Sequence, residues 1–337
     1  MAVFNPLPIE QLIKRLDPPK APVDMVLDTD TYNEIDDQFA LMYSLLSPEQ
    51  VRLQAVYAAP FHNNRSTGPE DGMEKSYAEI VRLLNTVSVD AQDFVFEGSR
   101  SYLPDGNTPV DSPAARDLIR KAMARPDDDP LYVCAIGCIT NVASAILMEP
   151  EIIRKIVVVW LGGHILSWPT TREFNLMQDV PAARVVLDSG VPFVLVPCMG
   201  VASHLTATTY ELEACIGGKN KMCDTLCELF AAYSDNHFGW AKEIWDVAAV
   251  SWLIHPEYTC SELEPSPLLS DDCRWAATPD VTRSASSARS TARRSSATCI
   301  PSWQPARTDR RLLTQRRKLI CDCITYATAT PFTAPTA

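Results

Sequence analysis

The sequence predicts an α/β fold: an open, mostly parallel sheet with helices on both faces. Three observations carry this. The runs LYVCAIG (131–137), KIVVVWLGG (155–163) and VPFVLVP (191–197) are almost continuously apolar, the pattern of parallel strands covered on both sides. Segments such as 37–46 and 73–85 carry apolar residues at helical spacing. The two kinds of segment alternate along the chain, as in βαβ units.

Taken in order, VDMVLDTD (23–30) reads as a buried strand that ends in acid. DQFALMYSLL (37–46) reads as the helix after it, and VRLQAVYA (51–58) as a second strand. The loop PFHNNRSTGPEDG (60–72) is rich in turn formers, and MEKSYAEIVRLLN (73–85) is amphipathic. After the three apolar runs come helix signals in PAARVVLD (181–188), KMCDTLCELFAAYSD (221–235) and EIWDVAAVSWLIHP (243–256). Ligands of such sheets bind beyond the carboxyl ends of the strands, and the acid-rich stretch 28–37 falls at such an end.

The bulk properties narrow the partners. The 337 residues are enough for one large domain or two smaller ones, and 46% hydrophobic content supports a real core. The net charge of −12 argues against a nucleic-acid partner but suits a small neutral substrate or a metal cation. No apolar run approaches the roughly 18 residues of a membrane span. The opening MAVFNPLPIEQLIKRLDPPK lacks the apolar core of a signal peptide, so a soluble, cytoplasmic protein is expected. Eleven cysteines without a C-x-x-C pair read as reduced thiols, many of them core fillers.

The composition changes near Asp280, which divides the chain into an expected domain, 1–280, and a tail, 281–337. The tail holds nine arginines and Lys318 against Asp309 and Asp322, so it carries +8 and leaves −20 on residues 1–280. VTRSASSARSTARRSSAT has no helix or strand period and reads as low-complexity and disordered. Two explanations compete: a basic tail for a polyanion, or a shift of reading frame, which the abruptness of the change favours. Arg-His codons (CGT CAC) displaced by one base begin GTC AC, which encodes the Val-Thr found at 281–282.

Asp28, Asp30, Glu34, Asp36 and Asp37 crowd one short stretch. Two like charges near 4 Å repel by about 4 kcal/mol at an effective dielectric of 20, so something positive should offset them. A solvated helix start accounts for Asp36 and Asp37 but not for Asp28 and Asp30. A phosphatase of the haloacid dehalogenase type fits D-x-D after a strand. A cage of hard oxygen ligands for Ca²⁺ or Mg²⁺ fits the whole group. Other polar residues stand near strand ends or helix starts: Thr140-Asn141 in CITNVASAI, Glu173 and Asn175 in EFNLMQD, and Asp246 in IWDVAAV. Each alone is explained by helix capping or the helix dipole.

Together these motifs resemble the nucleoside hydrolases, which cleave the N-glycosidic bond of ribonucleosides. That family has D-x-D-x-x-x-D-D after its first strand, a mid-chain T-N turn, an E-F-N loop and a late aspartate opening a helix. The resemblance spans about residues 22–280. The step from Asp30 to Asp36 is two residues longer than the family's. Trp245 stands before the late aspartate, where the inosine-uridine group has His and the purine-preferring group has Trp. The resemblance implies that Asp30, Asp37, Asp246 and the main-chain carbonyl of Thr140 hold Ca²⁺, with Asp30 as the base for the attacking water. It implies that Asp36, Glu173 and Asn175 bind the ribose hydroxyls, that Asn63 or Asn64 holds the 2′-hydroxyl, and that Trp245 stacks on a purine. A ribonucleoside substrate and a place in purine salvage follow from it. No histidine adjoins Asp246, and none receives a role. A phosphatase and an inactive metal- or ribose-binding homologue remain as alternatives, and a homo-oligomer is left open.

Overall fold

The computed structural model describes residues 4–20 and 22–276, together with the backbone of 297–302. VDMVLDT forms strand β1 (Val23–Thr29), buried from Met25 onward. Its parallel neighbours are β2 (Val51–Ala58) and β4 (Leu131–Ala135), with Asp28 level with Tyr57 on one side and Ala135 on the other. With β3 (Val95–Glu97), β5 (Ile156–Leu161) and β6 (Phe193–Val196), the order across the parallel sheet is β3-β2-β1-β4-β5-β6. Every residue of β4, β5 and β6 is buried, as their unbroken apolar sequences require.

Ten helices occur among the described residues: α1 (Ile9–Leu16), α2 (Asp36–Leu45), α3 (Pro69–Thr86), α4 (Pro113–Met123), α5 (Thr140–Met148), α6 (Phe174–Gln178), α7 (Val180–Ser189), α8 (Thr209–Ile216), α9 (Lys221–Ala231) and α10 (Val247–Ile254). Successive strand residues point to opposite faces, and the core divides accordingly. Leu27, Val157 and Val159 pack with Phe39 of α2, Ile80 of α3 and Val250 of α10. Val26, Val158 and Trp160 pack with Leu118 of α4, Val142 of α5 and Val186 of α7. Fully burying each such large side chain contributes roughly 1.5–3 kcal/mol. No described helix is long and apolar enough to cross a membrane.

Three smaller features complete the frame. Strand β7 (Thr206–Ala207) pairs antiparallel with β8 (Lys242–Glu243), and β10 (Leu268–Leu269) with β11 (Trp275–Ala276). Strand β12 (Ala297–Ser302) lies between β6, to which it is parallel, and β9 (Cys260–Pro265), to which it is antiparallel. β12 falls in the segment 281–337 that composition sets apart, and it pairs through its backbone with strands that precede residue 280. The rest of 281–337 lies outside the described residues.

The chain leaves β1 for α2 on one face of the sheet and β4 for α5 on the other. A crevice opens where adjacent strands diverge in this way, beyond their carboxyl ends. Asp30 and Ile136 follow β1 and β4 directly into it.

Candidate active site

A cavity of about 300 Å³ occupies that crevice. One wall is built of carboxylates. Asp30 is 1% exposed, and the turn after it is closed by a bond from the Asn33 N–H to the Asp30 carbonyl. Helix α2 then starts with Asp36 and Asp37 in its first turn, without a side-chain cap. Asp246 is the N-cap residue of α10. Two helix N-termini thus bring their acids to one place, where the partial positive charge of each terminus favours them. Oxygens of Asp36, Asp37 and Asp246 lie within 4.8 Å of one another, and all three residues are buried. Gly137 permits the close approach of β4: a Cβ there would stand 3.2 Å from the Asp30 carboxyl carbon.

These carboxyls resist ionisation. Burial, and then the neighbouring Asp36, push Asp37 up to about 8. Burial raises Asp36 to about 6, with Lys242 opposing the shift. Asp30 and Asp246 are held well above the usual carboxylate range, first by burial and then by the other aspartates. Among the described residues, the basic side chain that bears on the group is Lys242 of β8, which hydrogen-bonds Glu34 at the edge. Oδ2 of Asp30 is buried without a hydrogen-bond partner among the described residues. A buried cluster of hard oxygen donors with an orphaned oxygen and little counter-charge fits a divalent cation such as Ca²⁺ or Mg²⁺.

The carboxylate of the facing wall is already satisfied. Glu173 caps α6: its Oε1 accepts the Asn175 N–H (2.9 Å), and its Oε2 accepts those of Gly163 (2.8 Å) and Leu176 (3.1 Å). The Cys198 thiol also hydrogen-bonds Glu173. Nδ2 of Asn175 donates to the carbonyls of Ile136 (2.9 Å) and Leu161 (3.0 Å), at the ends of β4 and β5. That fixes the amide and leaves its Oδ1 without a partner among the described residues. Half-buried Trp245 and His164, together with Asn63 and Met199, complete the lining.

The structure gathers Asp30, Asp36, Asp37, Asp246, Glu173, Asn175, Asn63 and Trp245 around this cavity. Two expected residues do not line it. Thr140 has already entered α5, and its hydroxyl donates to Asp179 (2.6 Å); Ile136, just beyond the end of β4, lines the cavity instead. Asn64 is exposed, whereas Asn63 lines the cavity and donates through Nδ2 to Asn33 Oδ1 (2.7 Å). Asp28 is also held outside the lining; its Oδ1 accepts from Asn141 (2.8 Å), and burial pushes it up to about 7. Sequence reasoning missed Ile136, His164, Cys198 and Lys242. Ile136 ends an apolar run with nothing polar in its side chain, and Lys242 meets Glu34 across 208 residues. The eight cysteines whose side chains are described are free thiols.

Residues 25–308 match the family model described as inosine-uridine preferring nucleoside hydrolase. The chain belongs to this family. It is thus a nucleoside hydrolase, an enzyme acting on the N-glycosidic bond of ribonucleosides. It is 27% identical over 264 residues to a pyrimidine-specific ribonucleoside hydrolase, RihA, of Enterobacter sp. (strain 638), covering 69% of this chain and 79% of the relative. It is 24% identical to a non-specific ribonucleoside hydrolase, RihC, of Salmonella schwarzengrund, covering 70% and 80%. Among solved structures, a plant nucleoside hydrolase superposes with a TM-score of 0.66 at 19% identity, over 92% of this chain and all of that one. A purine-preferring ribonucleoside hydrolase from Gardnerella vaginalis gives 0.62 at 18%, over 89% and 99%. At these identities the structural likeness establishes the fold.

Proposed function

We propose that this nucleoside hydrolase releases ribose and free base from purine ribonucleosides with the aid of Ca²⁺. The observation that carries the reading is the convergence of four buried, mutually repelling aspartates on a cavity whose other wall holds its one carboxylate, Glu173, on three backbone N–H groups. Asp30, Asp37 and Asp246 would hold the cation, with Ile136 in the carbonyl role expected of Thr140. When bound, the cation supplies counter-charge to the carboxylates and acidifies a water in the cavity.

The protein's own groups do the rest. Asp30, with its orphaned Oδ2 and raised proton affinity, takes a proton from the attacking water. Asp36, Glu173 and the free Oδ1 of Asn175 accept hydrogen bonds from ribose hydroxyls, and Asn63 contacts the 2′-hydroxyl. Cleavage passes through an oxocarbenium-like state, and the carboxylates around C1′ stabilise its positive charge. Trp245 offers an indole face to the base; such stacking is worth about 1–3 kcal/mol in nucleic-acid binding, and a bicyclic base gains more of it.

The test is ribose release from inosine and from uridine, before and after exhaustive chelation. Release from inosine exceeds that from uridine, and chelation abolishes both. Full activity after chelation contradicts the metal cage, and no release from either nucleoside supports an inactive homologue. A second reading, preference for pyrimidines, rests on the pyrimidine-specific relative; faster uridine cleavage establishes it.

A further inference from the structure

We propose that His164 donates a hydrogen bond from Nε2 to the leaving nucleobase, an inference that rests on the hydrolase reading above. Of the five histidines, His164 is the one that lines the cavity. His237 is bonded through Nε2 to the Ala231 carbonyl and His255 through Nδ1 to Glu257, while His62 and His204 lie outside the lining.

The ring of His164 is oriented by its surroundings. Nδ1 accepts the Met199 N–H (3.3 Å), which places the proton of the neutral imidazole on Nε2. Among the described residues, Nε2 has no hydrogen-bond partner. The backbone is clamped on both sides: the His164 N–H donates to Thr171 Oγ1 (3.0 Å), and its carbonyl accepts from Trp275 Nε1 (2.8 Å). Gly163 holds the turn at φ +64°, where a Cβ would stand 2.5 Å from Thr171 Oγ1. The edge of Trp168 supports the ring at 6.3 Å.

Position then assigns the target. The N–H of Gly163, one residue before His164, binds Glu173, the proposed ribose anchor. A ribose held there carries its base past His164, Met199 and Trp245. Burial lowers the pKa of His164, so the ring acts as a neutral donor, a role imidazole can fill at developing negative charge. In the reaction, water oxygen bonds to C1′ as the C1′–N bond breaks, and the electron pair leaves with the base. One water proton stays on the new anomeric hydroxyl and the other passes to Asp30 and on to solvent. The base accepts the Nε2–H hydrogen bond and takes its proton from solvent.

The test compares inosine with p-nitrophenyl riboside, whose phenolate needs no such donor. In His164→Ala, kcat/KM for inosine falls about 10²–10³-fold, the usual effect of losing one preorganised donor, while the aryl riboside changes little. His164→Gln, which keeps a donor, recovers part of the inosine activity and serves where the alanine variant folds poorly. Equal losses on both substrates, or none on inosine, overturn the proposal. A wild type that cleaves neither substrate overturns the hydrolase reading itself.

Discussion

The two walls of the cavity hold the same kind of group in opposite conditions. Glu173 is buried like the aspartates, yet three backbone N–H groups share its charge. Asp37 and Asp246 face one another and Asp36, and burial with mutual repulsion holds their protons on. The Glu173 carboxylate is satisfied by the fold. The aspartate wall is left electrostatically incomplete, and that incompleteness is what the proposed cation would offset.

Asp30→Asn tests the incomplete wall most severely. Turnover should fall about 10²–10⁴-fold, the range for loss of a general base, while the protein stays folded. Ribose release together with thermal melting measures both, and activity near that of the wild type removes the assignment. In the metal-free variant, melting is unchanged or raised, because one source of repulsion is gone.

The walls should also separate in stability. Asp37→Asn raises the melting temperature of metal-free protein and removes the increase that Ca²⁺ gives the wild type, roughly 2.7 kcal/mol at a hundredfold excess over Kd. Glu173→Ala strands buried N–H groups and lowers stability by about 1–3 kcal/mol, with or without metal. Melting curves of both variants, with Ca²⁺ and with EDTA, decide this; like behaviour of the two erases the contrast.

A pH titration reads the same contrast in the wild type. Carboxyls raised on folding, such as Asp36 to about 6 and Asp37 to about 8, bind more protons folded than unfolded. Stability of the metal-free protein therefore falls as pH rises from about 4 to about 8. Saturating Ca²⁺ should flatten that decline, and a metal-free protein that gains stability over the range contradicts it.

The smallest effect is expected at Trp245, which packs partly against the core as well as lining the cavity. In Trp245→Ala, kcat/KM should fall about tenfold more for inosine than for uridine if stacking is worth its usual 1–3 kcal/mol. Equal losses, with destabilisation of roughly 3–5 kcal/mol, mark it as a core residue.

Much of this was legible in the chain alone. The apolar runs at 131–137, 155–163 and 191–197 became β4, β5 and β6, because strands buried on both faces tolerate no polar alternation. Asp30, Asp36, Asp37, Glu173, Asn175 and Asp246 announced themselves as polar groups at strand ends and helix starts, where this fold class places ligands. The tertiary structure decided what depends on distance across the sequence or on the backbone. It turned Thr140 toward Asp179 and left Ile136 in the lining, a residue with no polar side chain to notice. It put Asn63 rather than Asn64 in the cavity lining, brought Lys242 to Glu34, and set His164 with Nδ1 on a main-chain N–H. Periodicity and residue type report local preference, whereas partners far apart in the chain meet only when the sheet has assembled.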